Sequence, residues 1–148
     1  MTIVDANILL YAYDSSAAQN PAAVAWLNDL FQTGETVGLP WVVIWAFLRV
    51  TTNPRLLRGA KPVPEIFSVI SEWLKQPGIV LLNPGPLHAD ILNRLLSDYG
   101  VAGPMVSDAV IAALALEYGA TVASTDQDFR RFPEVRWINP LNQSGSKR

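Results

Sequence analysis

Apolar residues in this chain fall in short continuous runs, which alternate with longer segments of helical spacing. Short apolar runs bounded by Gly, Pro, Asn or Asp are typical of strands that are buried on both faces. The runs predict strands at Thr2–Val4, residues 36–39, Ile79–Leu82, residues 121–124 and residues 135–138. A sheet built from such strands has little polar surface and needs cover on each side.

Helices are predicted between these strands. They cover residues 7–13, a segment from Pro21 to Gly34 with Asn20 as N-cap, and residues 41–52, 64–76, 87–98 and 108–118. Ser107 is the predicted N-cap of the last helix, and Gly119 ends it. Strands that alternate with helices predict an α/β fold in which a parallel sheet of four to five strands is covered on both faces.

Three aspartates stand where such a fold places its ligand crevice, beyond the carboxyl ends of the strands. Asp5 follows the first strand, Asp126 follows the strand near residue 121, and Asp108 begins a helix. Each has an ordinary alternative: Asp5 can cap a helix, Asp108 can favour the helix dipole, and Asp126 can begin an Asx-turn. Their common placement nevertheless predicts that the three carboxylates converge.

Converging carboxylates repel one another, and a bound cation is the usual way to keep them ionised. The chain has no cysteine and a single histidine, His88, at the start of a predicted helix, where a structural or surface role is expected. The oxygen ligands therefore predict Mg²⁺ or Mn²⁺. A carboxylate-bound divalent ion can activate water, so phosphodiester hydrolysis fits without a catalytic histidine or cysteine.

Other polar and aromatic residues are weaker candidates. Groups that could orient the carboxylates or their waters are Asn7, Ser107, Thr125 and Asp128. The five tryptophans lie in apolar surroundings, which predicts core or interface positions rather than platforms for stacking bases: Trp26, Trp41, Trp45, Trp73 and Trp137.

Charge along the chain is uneven although the net charge is only −2. No acidic residue lies between Glu35 and Glu65. That stretch holds Arg49, Arg55, Arg58 and Lys61, and Arg130 and Arg131 follow the last acidic pair. An acidic centre needs flanking cations to hold a polyanion, so RNA is expected to approach across these residues. The alternative is an ordinary solvated face.

Length and composition predict one domain. The 148 residues, 50% of them hydrophobic, suffice for a single core over residues 1–141, and the polar end at residues 142–148 is expected to be disordered. The N-terminus does not resemble a signal peptide, which predicts a cytoplasmic location. The most apolar stretch, residues 37–48, is too short for a membrane span and holds Gly38 and Pro40.

Four segments together resemble the VapC toxins, the PIN-domain ribonucleases of type II toxin–antitoxin modules: IVDANILLYAYD, PWVVIWAFLRVTTNPR, VSDAVIAALALEYGATVASTDQDF and RFPEVRWINP. The resemblance implies a three-layer α/β/α domain that binds Mg²⁺ or Mn²⁺, cleaves RNA endonucleolytically and is inhibited by a VapB-type antitoxin. By position, Asp5, Asp108 and Asp126 match the family's acidic residues, and Asp128 would add a water-mediated contact. A homodimer is a further family expectation.

One departure concerns Ala46, which stands where these toxins usually carry a glutamate. Its absence removes one carboxylate and should weaken or misplace the metal. The protein is then either a naturally weakened member or the product of a substitution that allows a toxic nuclease to be made; the close match elsewhere favours the substitution.

Two other functions fit parts of the sequence. A non-catalytic protein of the same fold, acting through antitoxin or RNA binding alone, is favoured by Ala46. A phosphotransfer domain, such as a receiver or a haloacid-dehalogenase-like phosphatase, also carries aspartates at strand ends. Against it, the first strand is followed by Asp5-Ala6-Asn7 rather than an Asp-x-Asp motif, and no lysine lies near residues 121–126.

Overall fold

A five-stranded, fully parallel sheet forms the centre of the protein in a computed structural model that describes residues 1–142. The strands are β1 (Thr2–Val4), β2 (Val37–Pro40), β3 (Ile79–Leu82), β4 (Thr121–Ala123) and β5 (Trp137–Ile138). Their order across the sheet is β3-β2-β1-β4-β5, and β1 pairs with β4 from Thr2 opposite Thr121 to Val4 opposite Ala123. The parallel sheet of four to five strands is thus confirmed.

Six helices flank the sheet, as the three-layer α/β/α prediction requires. They are α1 (Ala6–Tyr13), α2 (Asn20–Gln32), α3 (Trp41–Thr51), α4 (Val63–Leu74), α5 (His88–Asp98) and α6 (Val106–Tyr118). Helix α1 packs against α2 and α3, and α5 packs against α6. Because the chain runs from β1 outward to β3 and then returns to β4, right-handed crossovers place α5 and α6 on the opposite face from the first four helices.

The core lies on both sides of β1 and β4. Ile3, Val4 and Val122 are fully buried, which explains why each of these strands is apolar after its first threonine. On α6, small residues such as Ala109, Ala112 and Ala113 bring the helix close to the sheet. No helix among residues 1–142 combines the length and the apolar character needed to cross a bilayer.

The predicted bounds of the strands and α-helices differ from the observed ones by at most two residues, and those of β1 and β3 are identical. Ser107 was expected to cap α6, but a 3-10 turn over Gly103–Met105 leads directly into the helix, so Ser107 already lies inside it. Asn20 is likewise the first residue of α2 rather than its cap. Its side-chain amide donates to the carbonyls of Tyr11 and Ala12 near the end of α1. The predicted disordered end falls almost entirely on residues 143–148, outside the described part.

Candidate active site

The candidate site is a crevice of about 580 Å³ at the carboxyl edge of the sheet. It opens beyond β1 and β4, the two neighbouring strands from which the chain leaves in opposite directions. Crossovers on opposite faces part at this point and leave a gap, which is the usual place for a ligand in an open parallel sheet. Four carboxylates line the crevice: Asp5, Asp108, Asp126 and Asp128.

Asp5 stands at the end of β1 and caps α1. Its Oδ1 accepts a hydrogen bond from the Ala6 backbone N–H at 2.7 Å, and its Oδ2 accepts from Ser124 Oγ at 2.6 Å and from Asn7 Nδ2 at 3.2 Å. Burial raises the pKa of Asp5, with a further contribution from the charge of Asp126, against the lowering effect of these hydrogen bonds. The side chain is therefore fixed in direction but costly to ionise without a compensating cation.

Asp126 and Asp128 follow β4, where Asp126 caps a short 3-10 helix (Gln127–Arg131) through an Asx-turn and Asp128 lies in the first turn of that helix. Asp126 Oδ1 accepts from the Asp128 backbone N–H at 2.9 Å, and the Asp126 N–H donates to Ser124 Oγ at 3.0 Å. Nearby, the Thr125 N–H donates to Asn7 Oδ1 at 3.2 Å. The ordinary turn and cap roles of these aspartates are thus present, and they also hold the carboxylates in the crevice.

Asp108 approaches from the opposite side, in the first turn of α6. Burial is the main reason that its pKa is raised to about 6, and the charges of Asp126, Asp5 and Asp128 raise it further. A raised pKa at a partly buried carboxylate beside three other acids is typical of a crowded anionic site.

Oxygens of Asp108, Asp126 and Asp128 all lie within 4.8 Å of one another, close enough to share one ion. The sequence predicted Asp5 in this set and gave Asp128 a supporting position. The structure places Asp128 in the tight group and Asp5 on the same crevice, tied to Ala6, Asn7 and Ser124. A donor set made only of carboxylate oxygens fits a hard divalent cation.

Helix α3 supplies the wall of the crevice that carries no carboxylate. Ala46 lines the crevice and is partly buried, and Arg49, nearly one turn later, lines it too. The site therefore has a small side chain where the resemblance implied a glutamate, and a guanidinium next to it.

The other predicted basic residues lie outside the lining of the crevice. Arg55, Arg58 and Lys61 are exposed in the segment that follows α3, and none of them forms an ion pair within residues 1–142. Arg130 is exposed with its guanidinium 5.4 Å from the centre of the Trp137 ring.

Sequence reasoning missed two residues of the site. Ser124 is fully buried and joins Asp5, Asn7 and Asp126, and a serine at the end of an apolar strand beside a cluster of acids was the available signal. Trp45 was expected in the core or an interface. It is instead 61% exposed and lines the crevice, so the core expectation is wrong for this residue.

His88 takes no part in this crevice, as predicted. Its Nδ1 lies 2.8 Å from Glu117 Oε1, and the Glu117 carboxylate also accepts from the Gly85 N–H, which ties the start of α5 to α6. A separate cavity of about 320 Å³, lined by apolar residues including Leu9, Leu27 and Trp73, has no carboxylate in its wall and so lacks the means for this chemistry.

Comparison with known proteins gives evidence on the family of this chain that is independent of the site geometry. The family model described as "PIN domain" matches residues 2–135. Ribonuclease VapC37 of Mycobacterium tuberculosis is 40% identical over 140 residues, which are 95% of this chain and 97% of that protein.

Two solved structures have a similar fold. VapBC2 from Rickettsia felis, bound to a promoter DNA fragment, aligns with a TM-score of 0.69 at 18% identity over 93% of this chain and 97% of that one. A toxin–antitoxin complex from Klebsiella pneumoniae aligns with a TM-score of 0.63 at 16% identity over 95% and 98%. With the family model matching most of its length and a VapC ribonuclease 40% identical to it, the chain belongs to the PIN-domain family, among the VapC ribonucleases.

Proposed function

We propose that the protein is a metal-dependent endoribonuclease, the toxin component of a type II toxin–antitoxin module, which hydrolyses RNA phosphodiester bonds. The observation that carries this proposal is the convergence of four carboxylates from β1, α6 and the turn after β4 on one crevice that also holds Arg49. Acid clusters of this kind serve divalent ions, and a neighbouring cation suits a polyanionic substrate.

Asp108, Asp126 and Asp128 would hold the ion, with Asp5 beside them; Mg²⁺ or Mn²⁺ is the proposed identity. When bound, such an ion supplies positive charge at the phosphate and lowers the pKa of water for in-line attack. Asp108 must give up its proton to take part, since its pKa of about 6 leaves it partly protonated in mildly acidic solution. Ser124, Asn7 and Thr125 keep the carboxylates in place.

Substrate binding is assigned to basic residues at and beyond the crevice. Arg49 is positioned to bind a phosphate next to the acids, and the more distant cations would hold the strand on either side: Arg55, Arg58, Lys61 and Arg130. These contacts are made to the backbone, so they position RNA without selecting a sequence.

Ala46 predicts a weakened enzyme. A glutamate at this position would add a fifth carboxylate to the crevice, and its loss lowers the negative charge that attracts the ion. The same feature favours the alternative function, a non-catalytic PIN-like protein that acts through antitoxin or RNA binding.

The partner we propose is a VapB-type antitoxin. It is supported by relatives named as VapC ribonucleases and by similar folds found in a VapBC structure and in a toxin–antitoxin complex. A cytoplasmic location belongs to the same proposal, since the protein would meet RNA and an antitoxin there. A homodimer is also part of the proposal, because the resemblance to the VapC toxins implies it.

The decisive experiment digests a defined RNA pool with the purified protein and with an Ala46→Glu variant, each with Mn²⁺, with Mg²⁺ and with a chelator. We expect Ala46→Glu to raise metal-dependent cleavage, because the added carboxylate would help to hold the ion. The charge of the ion would in turn offset the cost of partly burying the glutamate. Ala25→Glu, at an exposed position of α2, is the matched control and should leave cleavage unchanged.

The outcomes separate the two functions. Cleavage by Ala46→Glu that needs metal and disappears on adding Asp108→Asn supports the nuclease. A folded Ala46→Glu protein that neither binds Mn²⁺ in calorimetry nor cleaves RNA supports the non-catalytic alternative. An unfolded variant would show that position 46 cannot accept a charge, and Asp108→Asn in the original protein then tests the metal site by calorimetry alone.

A further inference from the structure

Trp45 is the one tryptophan among residues 1–142 that is largely open to solvent. It is 61% exposed, whereas the other four are partly buried. Tryptophan combines a large apolar ring with a polar N–H and is enriched at interfaces, so an exposed tryptophan in a crevice is a candidate binding surface. Trp45 lines the same crevice as the carboxylates.

The Trp45 ring packs against Trp41, and the guanidinium of Arg49 lies on the same crevice. Trp41, about one turn earlier on α3, lies 6.3 Å away between ring centres with the two planes 28° apart, which restricts the orientation of the Trp45 ring. Arg49 lies four residues later, on the same face of the helix, and also lines the crevice. One face of α3 thus presents a flat aromatic surface, then a guanidinium.

This order matches a nucleotide, which has a flat base joined to a phosphate. We propose that Trp45 is the stacking platform for a nucleobase of single-stranded RNA whose adjoining phosphate lies in the acidic crevice beside Arg49. Stacking accepts any base, because each has a π-face. The proposal rests on the proposed ribonuclease function and adds the residue that orients the substrate.

An apolar protein segment fits this surface less well. It would cover Trp45 but also remove water from Arg49 and from four carboxylates without supplying partners, and unpaired buried charge is costly. RNA brings a phosphate for the guanidinium and leaves the carboxylates to a cation. A second copy of this chain remains an outcome that the test distinguishes.

The test measures binding of a short, labelled, random-sequence single-stranded RNA by fluorescence anisotropy in Mg²⁺, with the RNA checked for integrity on a gel. We expect Trp45→Ala to weaken binding by about 5- to 150-fold, which corresponds to the roughly 1–3 kcal/mol lost when a single stacking aromatic is truncated. Trp45→Phe should keep most of the affinity. Leu87→Ala is the matched control, because Leu87 is 63% exposed and does not line the crevice.

Two further arms separate stacking from a loss of charge or structure. Trp45→Ala should leave the dependence of log K on log salt unchanged, whereas Arg49→Gln should reduce the slope by roughly 0.7, the value for one phosphate contact on a single strand. The original protein should bind an RNA without bases as weakly as Trp45→Ala binds intact RNA. The affinity of Trp45→Ala should be the same for the two RNAs.

Equal affinity of Trp45→Ala and the original protein for intact RNA would overturn the proposal while leaving the ribonuclease function untouched. If Trp45→Ala also converts a dimer to a monomer in light scattering, the platform is an interface between copies instead. An original protein that binds no RNA at all would refute the ribonuclease function, which is a different result from a failure of stacking.

Discussion

Ser124 shows how much of the site depends on one small side chain. Its Oγ donates to Asp5 Oδ2 at 2.6 Å and accepts from Asn7 Nδ2 at 2.9 Å and from the Asp126 N–H at 3.0 Å. A hydroxyl is the side chain that can donate once and accept twice within so little volume. At the scale of the residue, Asp5 and Asp126 are therefore fixed relative to each other by hydrogen bonds through Ser124, without the help of a cation.

The raised pKa of Asp108 predicts how the stability of the metal-free protein depends on pH. Its pKa rises from 3.8 to about 6 on folding, so the folded state binds more protons than the unfolded state between these values, and stability must fall as pH increases across that range. Asp108→Asn removes the ionisable group. In thermal melts with a chelator, the variant should be more stable than the original protein above about pH 6, and its melting temperature should decline less across the range.

A bound ion should reverse this effect. Mg²⁺ or Mn²⁺ should raise the melting temperature of the original protein more above about pH 6 than below it, because a protonated Asp108 must first release its proton. Asp29→Asn, on the exposed part of α2, is the control and should follow the original protein. A metal-induced rise in melting temperature that is the same above and below about pH 6 would mean that Asp108 is not a ligand.

At the scale of the element, α6 joins the site to the sheet, and its two ends are built differently. Asp108 lies in its first turn, while Gly119 ends it in the left-handed conformation with φ 63°. The next N–H, that of Ala120, donates to the Ala115 carbonyl at 2.8 Å and turns the chain into β4. The end of this helix therefore sets where β4, and the acids that follow it, begin.

Gly119→Ala should destabilise the protein by about 1–2 kcal/mol, the cost of placing a side chain in the left-handed region. Gly78→Ala is a matched control, since an added Cβ meets no atom at either glycine but the φ of Gly78 lies outside that region. Urea denaturation followed by circular dichroism measures both variants. Equal midpoints would show that the turn after α6 relaxes without strain.

The elements themselves were largely predictable from the sequence. Every strand and α-helix was predicted to within two residues, because buried strands are short, continuous and apolar, and the helices between them carry clear stops such as Gly119. The start of α6 lies two residues before its predicted position, because a 3-10 turn over Gly103–Met105 leads into the helix and the capping preference of Ser107 does not reveal it.

The convergence of the acids could be predicted from their placement beyond the carboxyl ends of parallel strands, but the distances between them could not. That Asp128 joins Asp108 and Asp126 depends on the Asx-turn after β4, a local geometry that spacing alone does not fix. Trp45 was misplaced because its sequence surroundings are apolar, whereas its position on α3 points it into a polar crevice. A single domain over residues 1–141 stays a prediction.

At the scale of the whole molecule, charge is divided between an acidic crevice and an exposed basic segment. We expect Arg55→Gln with Arg58→Gln to weaken RNA binding and reduce the salt slope by about 1.4, roughly 0.7 for each lost phosphate contact. Anisotropy titrations over a range of salt concentrations measure both quantities. Lys75→Gln is the control, because Lys75 is already paired with Glu72. An unchanged slope would identify the segment as an ordinary solvated surface.

The hydrogen bonds that bind Asp5 and Asn7 to Ser124 join residues 117 to 119 positions apart. A ribosome makes Asp5 long before it makes Ser124 and Asp126, so a growing chain carries Asp5 without these partners while the intervening residues are being added. The site cannot assemble on a nascent chain of that length. A protein that attacks RNA would thereby stay harmless to the messenger and ribosome producing it until translation has passed Ser124 and Asp126.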